Sequence, residues 1–165
     1  MYKILLQFVI ISILSNDCNA QADSANAPYM KPRTIQSFSI INAKDSTSFT
    51  EKNLKKNLNT VFVIFSPDCE FCQHETRDLL KNIEKFRNTQ IIMITYMPYT
   101  MMKDFYIKYN LAAYPEIMVG RDDRFFFSRF FKLNMLPSTF VYDKKGNFKK
   151  SFRQRVDMDV LLNEL

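Results

Sequence analysis

Cys69-Glu70-Phe71-Cys72 places two thiols three residues apart, so that one can attack a disulfide and the other can resolve the product. The nucleophile in that exchange is the thiolate. A helix N-terminus favours it through unpaired N–H groups and a partial positive charge. Other uses of paired cysteines fit less well. A closed zinc site takes about four ligands, and the chain past its N-terminal region offers only Cys69, Cys72 and its single histidine, His74. A purely structural bridge across so short a loop removes little entropy from the unfolded chain. His74 reads as a solvated helix residue, with protonation of a leaving thiol as its functional alternative.

The surrounding pattern must supply that helix start. Thr60 to Phe65 is a continuous β-branched and aromatic run, as a strand buried on both faces requires. Ser66-Pro67-Asp68 ends it, and a helix is expected from Cys69 to Phe86. Further strands are expected at Ser37–Ile41, Ser48–Thr50, Gln90–Tyr96, Glu116–Val119, Thr139–Tyr142 and Phe148–Phe152. Helices are expected at Glu51–Leu58, Thr100–Tyr109, Asp123–Phe131 and Asp157–Leu165. The Phe and Met stripes of these helices read as ordinary core rather than a ligand groove. Strands alternating with helices, closed by a hairpin and a helix, give an α/β fold with a central sheet covered on both faces.

The strand VFVIFS, the turn Pro67-Asp68 and CEFC opening a helix resemble the thioredoxin superfamily. So does the downstream segment Leu136-Pro137-Ser138-Thr139-Phe140-Val141-Tyr142. The resemblance covers about residues 34–165 and is nearest to exported TlpA/ResA-like thiol-disulfide oxidoreductases and the related alkyl hydroperoxide reductase/redoxin group. It implies a three-layer fold: a central mixed β-sheet, helices on both faces, and an insertion between the CxxC helix and the cis-Pro strand. It implies Cys69 as nucleophile and Cys72 as resolving thiol. Pro137 would be a cis-proline packed near Cys69, and the Leu136 backbone would bind an extended substrate. No cofactor is implied beyond a redox-active disulfide Cys69-Cys72. The implied partners are a protein disulfide substrate and a thiol/disulfide electron donor.

This chain departs from the family around the pair. Asp68 precedes the first cysteine where an aromatic residue is common, and Phe71 stands where Pro is common. Asp68 and Glu70 flank Cys69 and would oppose a thiolate there, which favours a reducing couple. A peroxiredoxin-like thiol peroxidase is the nearest alternative. Ser66 sits three residues before Cys69 as that pattern asks, but Phe62 occupies the expected proline position. A non-enzymatic metal chaperone or binding module is a third reading. Paired-cysteine copper carriers of this group also use a remote histidine, and His74 is not remote.

The N-terminus reads as an export signal: Lys3, the apolar run Ile4–Leu14, then small and polar residues ending at Ala20. Eleven residues in a helix span about 16 Å, about half of a bilayer core of roughly 30 Å. Residues 1–20 are therefore expected to be cleaved, rather than to form a permanent anchor or a buried helix. Residues 21–33, small, polar and Pro-containing, read as a linker. The expected location is the periplasm or cell envelope. Membrane contact would come only through the transient signal or, alternatively, a lipid on Cys18; Asp17 beside it fits that processing poorly.

Composition narrows the rest. The 165 residues suffice for one domain, and 47% hydrophobic residues with 16 Phe support a packed core. Two glycines rule out glycine-rich phosphate loops. The net charge of +6 gathers near the end of the chain, at Lys144, Lys145, Lys149, Lys150, Arg153 and Arg155. These read as the guarded edge of a sheet rather than a nucleic-acid surface.

Overall fold

The apolar run before the cysteine pair forms a strand buried at every position. Its side chains divide strictly by parity, as a pleated strand requires. Val61 and Val63 enter one hydrophobic cluster, Phe62 and Ile64 the other. The computed structural model describes residues 27–165. The expected signal (1–20), Cys18 and residues 21–26 lie outside the described residues.

In chain order the strands are β1 (Ser39–Asn42), β2 (Ser48–Thr50), β3 (Asn59–Ile64), β4 (Thr89–Thr95), β5 (Ile117–Arg121), β6 (Ser138–Tyr142) and β7 (Phe148–Phe152). The helices are α1 (Glu70–Lys81), α2 (Tyr99–Lys108), α3 (Phe126–Phe130) and α4 (Met158–Leu162). One sheet runs β2-β1-β5-β4-β3-β6-β7. β3, β4 and β5 are parallel neighbours; β6 and β7 join one side antiparallel, β1 and β2 the other. The stretch between α1 and β6 holds two strand–helix units, β4–α2 and β5–α3. Pro137 follows Cys69 by 68 residues, and this stretch contains the extra strand and helix expected as an insertion between the CxxC helix and the cis-Pro strand. β5 passes so close to β1 that a side chain at Gly120 would meet Ile40 Cδ1 at 2.6 Å.

Helices α1, α2 and α4 cover one face through Leu79, Met102, Phe105, Met158 and Leu161. The other face is aromatic. Phe62 is ringed by Phe38, Phe127, Phe131 and Tyr142, and Phe131 stacks on Phe140 with centroids 3.6 Å apart. The Phe stripe of α3 is thus core, as expected. β7 is an edge strand with Lys149 and Lys150 exposed.

Several boundaries differ from the sequence pattern. The helix expected to reach Phe86 stops at Lys81, where the Asn82 side chain donates to the Asp78 carbonyl and a short 3-10 turn follows. Glu51–Leu58 supplies only a 3-10 turn, Glu51–Asn53. The helix expected from Asp123 starts at Phe126, because Phe125 takes a left-handed conformation (φ 54°). The buried Asp122 carboxylate accepts the Phe126 and Phe127 amides and sets that start.

The linker expected over 21–33 gives way to packed structure from Ala27 onward. Ala27 and Tyr29 are buried. The Tyr29 ring meets Phe130, Phe131, Phe140 and Phe148 edge-on. Arg153 lies over Tyr29 and Phe140 and donates to the Tyr29 hydroxyl and the Phe131 carbonyl. Thr34 then bridges to Asn147 beside β7.

Candidate functional site

β3 delivers the chain to Phe65 and Ser66, and Pro67-Asp68 turns it into α1. Cys69 is the N-cap residue, with extended backbone (φ −76°, ψ 118°). Its amide donates to the Ser66 carbonyl, its carbonyl accepts from Gln73, and the Gln73 side chain donates back to the Pro67 carbonyl. These bonds fix the turn, and the Cys69 sulfur takes the place that a Ser or Asp oxygen usually fills at a helix start. The Cys72 amide donates to Cys69 Sγ at 3.3 Å. A thiolate at Cys69 would receive that N–H and the positive end of a twelve-residue helix.

The two thiols are unequal. Cys69 is half-buried and Cys72 is 1% exposed. Burial pushes the Cys72 thiol well above its usual range, and hydrogen bonding to Cys69 and the nearby Glu75 charge push the same way. Opposite them, the Leu136–Pro137 peptide is cis, and the Cys69 thiol points at the Leu136 carbonyl at 4.0 Å. Pro137 is buried and Leu136 half-buried. Cys69, Cys72, Leu136 and Pro137 therefore lie together.

The flanking residues take different places. Asp68 is exposed and accepts a hydrogen bond from the Ser66 hydroxyl. Glu70 is exposed and faces His74 one turn on, at 3.6 Å. Phe71 projects outward at 65% exposure. Neither carboxylate is desolvated against the sulfur, so solvent screens both. His74 is a surface residue, as its spacing implied.

Sequence reasoning missed Glu75. It lies three residues after Cys72 and is 3% exposed. The Thr139 hydroxyl donates to Oε1 at 2.9 Å and the Val156 amide to Oε2 at 3.2 Å. Burial raises its pKa to about 7, against the pull of those two bonds. A carboxyl poised there, beside a thiol that resists ionisation, is suited to accept that thiol's proton. The only sequence signal was a carboxylate on the Cys72 side of the helix, indistinguishable from surface charge without its partners on β6 and before α4.

Among the described residues, no group of three or more His, Cys, Asp or Glu side chains is arranged to hold a metal ion.

A helix-capping Cys69, a buried Cys72 and a cis-Pro137 beside them, on a mixed sheet with helices on both faces, define a thioredoxin-like fold. Solved structures agree. A secreted Mycobacterium tuberculosis disulfide oxidoreductase homologous to E. coli DsbE superposes with TM-score 0.64 at 18% identity, over 77% of this chain and 92% of that one. A peroxiredoxin-like protein from Aquifex aeolicus gives 0.64 at 14% identity, over 79% and 82%. Arabidopsis thaliana ScoI with copper bound gives 0.62 at 16% identity, over 78% and 92%. No protein-family profile matches the chain, and no curated protein sequence matches it. The fold is therefore shared with proteins of three different chemistries, and the choice among them rests on the site.

Proposed function

We propose that this protein is an exported thiol-disulfide oxidoreductase that reduces protein disulfides through Cys69 and Cys72. The observation that carries the reading is the inequality of the pair: an accessible sulfur at a helix start, and a buried one beside Glu75. The Cys69 thiolate attacks one substrate sulfur, forming a mixed disulfide and releasing the other as a thiolate. Glu75 takes the Cys72 proton. Cys72 then attacks Cys69 Sγ, forming the Cys69–Cys72 disulfide and releasing the second substrate sulfur. The substrate gains two electrons and the protein loses two, so a thiol donor must restore the dithiol. The Leu136 backbone and Pro137 border the sulfur that is attacked.

The peroxidase reading has weaker support. The Ser66 hydroxyl is engaged with Asp68, and Phe62 is locked in the aromatic core. Export rests on the basic, apolar and small-residue pattern of residues 1–20, and the periplasm or cell envelope is the compartment proposed.

The Cys72→Ser variant, incubated with a disulfide-bonded protein, should accumulate a mixed disulfide through Cys69, while Cys69→Ser should lose reduction entirely. Turnover of peroxide by Cys72→Ser with an external thiol would transfer the assignment to a peroxidase. A reduction potential near thioredoxin's, about −270 mV, supports a reductase; one near −120 mV would reverse the direction of flow.

A further inference from the structure

The inserted helix α2 borders the cysteine pair. Met102 and Phe105 anchor it: both are buried, and Phe105 lies 4.7 Å from Phe65 between ring centroids. Phe65 immediately follows β3, so this contact sets α2 beside the strand end that leads to Cys69. Between them runs an open groove of about 340 Å³, lined by Pro67, Asp68, Met101, Asp104, Phe105 and Lys108. Two of its wall residues, Pro67 and Asp68, directly precede Cys69. Consecutive residues of a peptide are about 3.8 Å apart between Cα atoms. A residue next to a substrate cysteine bonded to Cys69 Sγ is therefore within reach of this groove.

Its chemistry is mixed in a particular way. Pro67, Met101 and Phe105 are apolar, and Asp68 and Asp104 put two exposed carboxylates on the rim. Among the described residues Asp104 has no ion-pair partner. The one cation, Lys108, sets its ammonium over the Tyr109 ring at 5.4 Å. In a chain of net charge +6, this rim is a local inversion of sign. An apolar floor with an acidic rim matches a lysine or arginine side chain, whose stem lies on apolar surface while its head seeks charge.

Resting on the disulfide-reductase reading, we infer that the groove between Pro67-Asp68 and α2 selects disulfide substrates carrying a basic residue beside the attacked cysteine. The inserted strand–helix unit is then a specificity element as well as a structural one.

The test uses the full chain and two disulfide-bonded peptides that differ only in Lys or Glu beside the cysteine, with neutral hydroxyethyl disulfide as reference. At low salt kcat/KM should favour the Lys peptide by roughly tenfold, the size expected when two partly screened attractions become repulsions. The preference should shrink as salt rises. In Asp104→Asn the Lys-to-Glu ratio should fall by about threefold, and Asp104→Lys should bring it to unity or below. Because each ratio is taken within one variant, loss of folded protein cancels. Equal rates for the two peptides, with hydroxyethyl disulfide still reduced, would overturn the groove's role alone. Failure to reduce any of the three would overturn the reductase reading and this inference with it.

Discussion

On one side of the sheet Val61, Val63, Ile91 and Met93 meet Cys72, Leu79, Met102 and Leu161. On the other, Phe62, Ile64, Ile92 and Ile94 meet Phe38, Phe127, Phe131 and Phe140. The first side is mainly aliphatic, with Phe65, Phe86 and Phe105 among its members, and the buried polar groups around Cys72 are engaged. Glu75 and Thr139 bond each other, and Thr76 bonds the Cys72 carbonyl. The second side is a mesh of aromatic rings with polar groups at its margins, where Asp122 caps α3 and Gln90 bonds Thr60; inside the mesh the Tyr142 hydroxyl has no partner among the described residues. Adjacent positions on the same strands thus serve opposite ends. Aromatic mass stabilises without specifying any proton position, whereas the reactive side spends burial on holding one carboxyl and one thiol in fixed relation.

The largest expected effect tests the aromatic side. Phe62→Ala removes a ring 1% exposed at its centre. It should cost about 3–5 kcal/mol in urea unfolding, while mixed-disulfide formation per folded molecule stays unchanged. A variant that loses Cys69 reactivity with little loss of stability would break the division between the two sides.

Next in size is the pH dependence of the reactive side. With its pKa raised to about 7, Glu75 binds its proton more tightly in the folded chain than in the unfolded one. Its contribution to stability is complete below about pH 4.5 and lost as pH rises through 7. At 1.36 kcal/mol per unit, the loss across that window is about 3 kcal/mol. Glu75→Gln should remove that slope, read as unfolding midpoints at pH 5 and pH 8. An equal slope in both proteins would place the buried charge elsewhere.

The smallest effect sharpens the contrast. Tyr142→Phe deletes an unpartnered buried hydroxyl, so stability should hold or rise by up to about 1 kcal/mol. A loss beyond about 1 kcal/mol would mean that the hydroxyl is satisfied. The comparable deletion on the reactive side, Thr139→Val, strips a donor from Glu75 and should destabilise.

What could be read in advance follows the range of the interactions. The TVFVIF run announced a two-sided strand because parity and β-branching are local properties. The Cys69 cap was legible for the same reason: a turn and a helix start lie within a few residues. Pro137 beside Cys69 was legible only through resemblance. Glu75 was not legible, because its burial depends on Thr139 and Val156, 64 and 81 residues away. The role of Tyr29 was hidden too. A composition of small and polar residues resembled a linker, and one tyrosine among them found four rings, contributed from the end of α3 and the residue after it, β6 and β7. Helix α3 was overextended because nothing local showed that Phe125 would turn left-handed above the Asp122 carboxylate.

Alternation along β3, β4 and β6 has a consequence for how the molecule opens. Each of these strands lends side chains to both clusters, so neither cluster owns a backbone of its own. Lifting the helices off one face lays bare ladder bonds that the other face also depends on. The amides of β3 and β4, hydrogen-bonded strand to strand over six register pairs, should therefore exchange with solvent in one cooperative event rather than in two. A protease would then meet a chain that is either closed or wholly open, and the reactive dithiol would be degraded no sooner than the aromatic half behind it.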